Sequence, residues 1–333
     1  MQSCAPCKII LFGEHAVVYD KLGIAAAIGE KTFVDIAAAK AGIEIIRKLD
    51  PKRTMISKEE LFSKLDKFHS LYEKKEFSKF REFSFVDSLA VVVAECMRRY
   101  GYRSARIDIK FDNVLKGVGR SASKYAAVAL AVLGLLGHEP TIEEVGEISY
   151  LGDVVAHAGM PSGIDTNTVT LGGYVAYKKS LGVTKLNVGY RLPLVVIDSG
   201  TAAKTGAAVA SVRKLREEKP QFVNSIFDEM DQISNKAVKS LEEKKLLHVG
   251  SLMSRNHELL REIGVSTPRL DSIVQIALDN GALGAKLTAA GQGGCAIALA
   301  PNDEGAISLC SRYKEAGFNA FTTSMGDEGA SLI

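Results

Sequence analysis

A long apolar run entered through two glycines sets the tightest limit on this chain. Lys116-Gly117-Val118-Gly119-Arg120-Ser121-Ala122 leads into a stretch carrying Tyr125, Val128, Leu130, Val132, Leu135 and Leu136. The run is well short of the ~20 residues that a membrane span needs, so it predicts a buried helix. Glycines in front of such a helix let backbone N–H groups converge on an anion, and the helix N-terminus adds about half a positive charge. Ser121 offers a hydroxyl suited to Mg²⁺ or phosphate, and Lys116, Arg120 and Lys124 add positive charge. On local residues alone the same glycines also serve as a plain turn. The segment matches neither G-x-x-x-x-G-K-[ST] nor G-x-G-x-x-G.

Composition narrows the function classes. The 333 residues carry 42 Lys and Arg against 39 Asp and Glu, a net charge of +3. A dedicated nucleic-acid binder usually has a domain pI above about 9 or a basic stripe, so no nucleic-acid partner is expected. With 47% hydrophobic and 24% charged residues the chain is ordinary globular material. Its length suggests two domains, and no tandem repeat is visible. The N-terminal run Ile9-Ile10-Leu11-Phe12 is interrupted at once by Glu14 and His15, unlike a leader peptide, so a cytoplasmic protein away from membranes is expected. Cys4, Cys7, Cys96, Cys295 and Cys310 are too few for a disulfide framework. Cys4-Ala5-Pro6-Cys7 precedes a strand rather than a helix N-terminus and has no second ligand pair at zinc spacing, which disfavours redox or zinc chemistry.

The first forty residues alternate β-like stretches with glycine turns. From about residue 40 to 84 the chain turns charge-rich and reads as helical. Ser57 and Glu60 form a capping-box pattern there, followed by Leu61, Leu65, Phe68 and Tyr72 on one predicted face, with residues 73 to 81 as a solvated continuation. A helix over about 86 to 100, a strand over 105 to 111, and a Thr141-capped helix reaching about 158 follow. A buried strand at 192 to 197 precedes mostly helical sequence to residue 280. The chain is therefore α+β, with a boundary near 180 to 195.

Several polar residues stand where chemistry is conceivable. Lys8, beside Ile9 and Ile10, must either snorkel to water or meet a carboxylate or phosphate. Asp165, in Pro161-Ser162-Gly163-Ile164-Asp165-Thr166, reads as a turn cap or as a carboxylate projecting into a cleft. Asp153 reads as an exposed helix residue or as a metal ligand in the same cleft. Glu14 and His15 follow the Lys8 strand and could face that cleft, or fill structural roles. His69, His138, His157, His248 and His257 have no nameable partners and read as surface or capping residues.

Taken together, Ala5 through Tyr19, with its Gly13-Glu14-His15-Ala16-Val17-Val18-Tyr19, resembles the opening motif of mevalonate kinases in the GHMP kinase superfamily. Gly117 to Ala122 resembles the superfamily's phosphate loop. Pro161 to Asp165 with Gly172-Gly173 resembles its catalytic-aspartate segment, and Lys286 to Cys295 its C-terminal glycine motif. The resemblance implies a two-domain α+β fold: a ribosomal-protein-like ATP-binding domain over 1–185 and a ferredoxin-like domain over 186–333. It also implies ATP-dependent phosphorylation of mevalonate to 5-phosphomevalonate, in isoprenoid biosynthesis, with Mg²⁺ as cofactor and a homodimer as a possible assembly.

The site implied by the resemblance has Asp165 and Lys8 as catalytic groups. Lys116, Gly117, Val118, Gly119, Arg120, Ser121 and Ala122 hold the nucleotide, Ser121 and Asp153 the metal, and Glu14, His15 and Thr205 the acceptor. This chain departs from the family pattern at Cys7, Leu115, Lys116, Arg120, Ser123, Ala289 and Gln292. Those departures keep two alternatives in view: a relative acting on mevalonate 3-phosphate or 5-phosphate, and a non-catalytic nucleotide-binding relative.

Overall fold

The computed structural model describes residues 1–47, 50–111, 117–159, 161–203 and 205–333. Its strands and helices, in chain order, are β1 (Gln2–Phe12), β2 (Gly23–Ala38), β3 (Ile43–Arg47), β4 (Asp50–Ile56), α1 (Lys58–Glu73), α2 (Phe85–Tyr100), β5 (Ala105–Phe111) and α3 (Arg120–Leu135). These are followed by α4 (Ile142–Ala156), α5 (Ile164–Leu171), β6 (Tyr174–Lys178), β7 (Gly182–Leu186) and β8 (Leu194–Asp198). The remainder comprises α6 (Thr205–Glu218), α7 (Pro220–Glu242), α8 (Leu246–Glu262), α9 (Pro268–Asp279), β9 (Gly284–Leu287), β10 (Cys295–Leu299), α10 (Asp303–Glu315), β11 (Asn319–Thr323) and β12 (Ser331–Leu332).

Two sheets organise these elements, as an α+β chain requires. The first runs β12-β1-β2-β5-β3-β4, with β6 and then β7 branching from β2, and the second runs β11-β8-β10-β9. The branch is possible because β2 is long: Gly23 to Ala26 pair with β6, whereas Thr32 to Ala38 pair with β5. The β3–β5 pair is parallel and the other ladders are antiparallel.

Alternation along β1 decides where its side chains go. Cys7, Ile9 and Leu11 join the large core shared with the second sheet and with α7 and α8, while Ile10 packs against Ile164 of α5. Lys8 shares the Ile10 side of the strand. The edge of β1 away from β2 is filled by three distant segments. β12 pairs with Ser3 and Cys4, the Val118 carbonyl accepts from the Lys8 N–H at 2.9 Å, and the Thr288 hydroxyl donates to the Ile10 carbonyl at 2.9 Å. Both glycine motifs thus dock on the strand that carries Lys8.

α3 lies on the first sheet packed against both α2 and α4, and its side chains from Ala122 to Leu133 are buried. An all-round apolar helix is what that enclosure demands. Cys4 and Cys7 are both buried on β1 and form no disulfide, so the C-x-x-C lies within a strand rather than at a helix N-terminus.

The segment from 40 to 84 differs from its sequence reading. A β3–β4 hairpin precedes α1. The buried face of α1 is Leu61, Leu65, Phe68 and Leu71, with Tyr72 41% exposed, because four residues overshoot the 3.6-residue turn at the helix end. The helix does not continue past Glu73: Lys75 adopts φ 55°, and a 3₁₀ turn over Phe77–Glu82 buries Phe80 instead. Asp165 belongs to the first turn of α5 rather than to a loop.

Candidate active site

Lys8, Asp165, Asp153, Ser121, Glu14, His15 and Thr205 all line one cavity of about 430 Å³. Gly117, Gly119 and Arg120 from the glycine loop line the same wall, whereas Val118 and Ala122 are buried behind it. Lys116 lies outside the described residues.

The Lys8 ammonium meets the Asp165 carboxylate at 2.8 Å, with Lys8 2% and Asp165 21% exposed. The lysine in an apolar strand has therefore found its carboxylate. Gly119 makes this approach possible: its φ is 75°, and a Cβ there would sit 2.6 Å from Lys8 Cγ. Gly119 also caps α3 without a side-chain hydrogen bond, which leaves the first-turn N–H groups facing the cavity mouth without a side-chain acceptor. α5 begins in the same way at Gly163, and Asp165 in its first turn is favourably placed by the helix dipole.

Asp153, at the inner end of α4, is 1% exposed, so its reading as a surface residue is excluded. Thr166 donates to its Oδ2 at 3.2 Å, while Oδ1 forms an ion pair with His157 Nδ1 at 3.3 Å. Burial works to raise the Asp153 pKa, but His157, Lys8 and Thr166 outweigh it and hold the carboxyl below its usual range. Burial likewise opposes protonation of His157, and the Asp153 carboxylate overcomes it, so the imidazole pKa rises. His157, which the sequence reads as a surface or capping residue, is the C-cap of α4 and also lines the cavity. Its spacing of four residues from Asp153 on a helix was the available signal.

Glu14 and His15 close the opposite side. Glu14 is buried against Lys286 of β9, whose ammonium pairs with Oε1, and Asn256 Nδ2 donates to Oε2 at 3.3 Å. His15 Nε2–H donates to the Ala290 carbonyl at 2.9 Å, and burial lowers its pKa against the opposing effect of that bond. Lys286 and Asn256 are unreadable from sequence, since they lie more than 240 positions from Glu14. The second glycine motif supports this side: Ala289 and Ala290 line the cavity, and Thr288 anchors to β1. Ala289 and Gln292, which replace glycines of the family pattern, retain glycine-like φ values of 64° and 53°.

A helix start with open N–H groups, a buried ion pair and a buried carboxylate, converging in one cleft, suit transfer of a charged group to a small acceptor. Known proteins agree. Residues 237–319 match the family model described as GHMP kinases C terminal. The mevalonate kinase of Thermococcus gammatolerans is 36% identical over 98% of this chain and 96% of its own length. A crystal structure of the Methanococcus jannaschii mevalonate kinase superposes with a TM-score of 0.80, at 25% identity, over 98% of each chain. That of L. major mevalonate kinase in complex with R-mevalonate gives a TM-score of 0.78, at 27% identity, over 100% of this chain and 97% of that one. The two-sheet α+β architecture is thus shared along the whole length, and the chain belongs to the mevalonate kinase family of the GHMP kinases.

Proposed function

We propose that the chain phosphorylates mevalonate with ATP, and that Asp165 and Lys8 carry the chemistry. The observation that supports this best is the 2.8 Å Lys8–Asp165 pair set beside the uncapped start of α3. In the reaction the acceptor oxygen bonds to the γ-phosphorus, the bond from that phosphorus to the bridging oxygen breaks, and ADP leaves with the electron pair. Asp165 takes or orients the hydroxyl proton, and the Lys8 ammonium offsets charge on the developing alkoxide. Such transfer depends on positioning and charge neutralisation.

The loop Gly117 to Ala122 holds the phosphates, with Lys116 beside it in sequence. Glu14, His15 and Thr205 form the acceptor side, Glu14 with its carboxylate fixed by Lys286 and Asn256. Mg²⁺ fits this chain, because the Asp153 carboxylate and the Ser121 hydroxyl are oxygen donors in one cavity and a nucleotide-bound Mg²⁺ needs few protein ligands. When bound, the ion supplies positive charge to the phosphates. The chain divides for this purpose into 1–185 and 186–333, with β12 returning across the join to β1. A cytoplasmic setting accords with five cysteines that form no disulfide and with the absence, among the described residues, of a helix long and apolar enough to cross a membrane.

ADP release measured against mevalonate, mevalonate 3-phosphate, mevalonate 5-phosphate and homoserine tests the proposal. Turnover of mevalonate well above the others is expected; preference for a phosphorylated acceptor, or ATP binding without turnover, overturns it. Replacing Asp165 by Asn should lower kcat by at least about a thousandfold while ATP affinity changes little. Near-normal turnover in that variant would remove Asp165 from its role.

A further inference from the structure

Beyond the glycine loop, the cavity wall carries a lysine that the mechanism has not used. Lys124 is 2% exposed and lies one turn into α3 after Ser121, on the same side of the helix. Its ammonium stands 3.7 Å from the centre of the Phe85 ring and 4.4 Å from that of Tyr125, so two aromatic faces fix its position. Among the described residues it makes no hydrogen bond and pairs with no carboxylate at ion-pair distance, although it lines the cavity. Asp153, the carboxylate whose charge favours it, is engaged with Thr166 and His157. Burial first, and then the charges of Arg120 and Arg47, push its pKa well down.

A buried cation without an anion is costly, and chains seldom keep one unless something else completes it. Here the missing partner is an anion that enters the cavity. Ser121 and the open N–H groups of α3 place phosphate on this wall, on the side away from Glu14 and His15.

Resting on the kinase reading above, we propose that Lys124 is a nucleotide-phosphate contact, held ready by Phe85 and Tyr125 and completed only when a phosphate oxyanion binds. Without nucleotide the residue is a liability; with nucleotide it is a ligand. The chain has therefore traded stability of its empty state for affinity.

The test uses the full chain and the variants Lys124→Met, which keeps length and packs well against rings, and Lys124→Arg, which keeps the charge. Thermal unfolding without nucleotide should show Lys124→Met at least as stable as the wild type, with a midpoint raised by about 2 °C. Calorimetric titration should show its affinity for ATP and ADP lowered by at least about tenfold, its affinity for adenosine unchanged, and substantial recovery in Lys124→Arg. A lower midpoint with unchanged ATP affinity makes Lys124 structural and overturns the proposal. Equal losses for adenosine and ATP assign it to the base instead, and losses confined to a phosphorylated acceptor assign it to that phosphate; either result also overturns it. Wild-type chain that binds ATP but never turns over mevalonate sinks the kinase reading alone, because the nucleotide titrations still score Lys124.

Discussion

Ala289 shows how a single residue can hold a backbone that suits another. Its φ of 64° is one that a Cβ disfavours by about 1 kcal/mol or more, and its neighbour Gly291 is wedged so that a Cβ would meet the Val265 carbonyl at 2.2 Å. Ala289→Gly should therefore raise stability by about 0.5–1 kcal/mol, the strain relief exceeding the added chain entropy, as read from the urea midpoint. His257 gives a prediction in pH. It accepts the Leu287 N–H on Nδ1 at 3.3 Å and faces Asp271 through Nε2 at 3.2 Å, an arrangement only the neutral ring satisfies. Burial pushes its pKa from 6.5 down to about 4, against the pull of Asp271. The unfolded chain thus binds a proton that the folded chain refuses, so this contribution is complete above pH 6.5 and is lost as pH falls toward 4. The urea midpoint should drop between pH 7 and 5 by more in the wild type than in His257→Asn. At this scale Lys8, Asp165 and Asp153 were legible because a charge amid apolar or glycine residues needs an explanation. His257 and Lys286 were not, because their partners come from remote segments.

Among the elements, α2 connects stability to the cavity wall that carries Lys124. Ser84 accepts from the Asp87 N–H at 3.2 Å and its own N–H donates to Asp87 Oδ2 at 2.6 Å, a complete capping box that places Phe85 at the helix start under Lys124. Ser84→Ala should cost about 1 kcal/mol in chemical unfolding. In α1 only half of the box forms, since Glu60 turns to Lys64 at 3.2 Å, and Lys64 also reaches Asp87 at 2.6 Å. Helices with such caps, and the strand over Ala105–Phe111, were readable because local chemistry fixes them. The β3–β4 hairpin was not. β4 carries Asp50, Pro51, Lys52 and Arg53 and lies at the sheet edge, where charge and proline are tolerated and the alternation that marks a strand is lost.

Across the whole molecule, the Lys286–Glu14 pair ties the second sheet to the loop after β1. Both groups are buried, so Lys286→Met leaves a carboxylate without its counter-charge and should destabilise by about 3–5 kcal/mol. Adding Glu14→Gln should recover part of that loss, and a double-mutant cycle in urea measures it. The two-sheet plan was legible as an α+β chain with motifs on both sides of one cleft. How the sheets join was not, because a ladder partner three hundred positions away leaves no local trace.

That join has a consequence for how the chain is made. The outer edge of β1 is filled by Val118, by Thr288 and by Ser331–Leu332. A ribosome delivers β1 long before Thr288 and Ser331–Leu332, so in the interval the strand bearing Lys8 has hydrogen-bonding groups unclaimed. An exposed strand edge invites pairing with other chains. The nascent protein is therefore open to aggregation through the strand that carries Lys8 until those segments emerge.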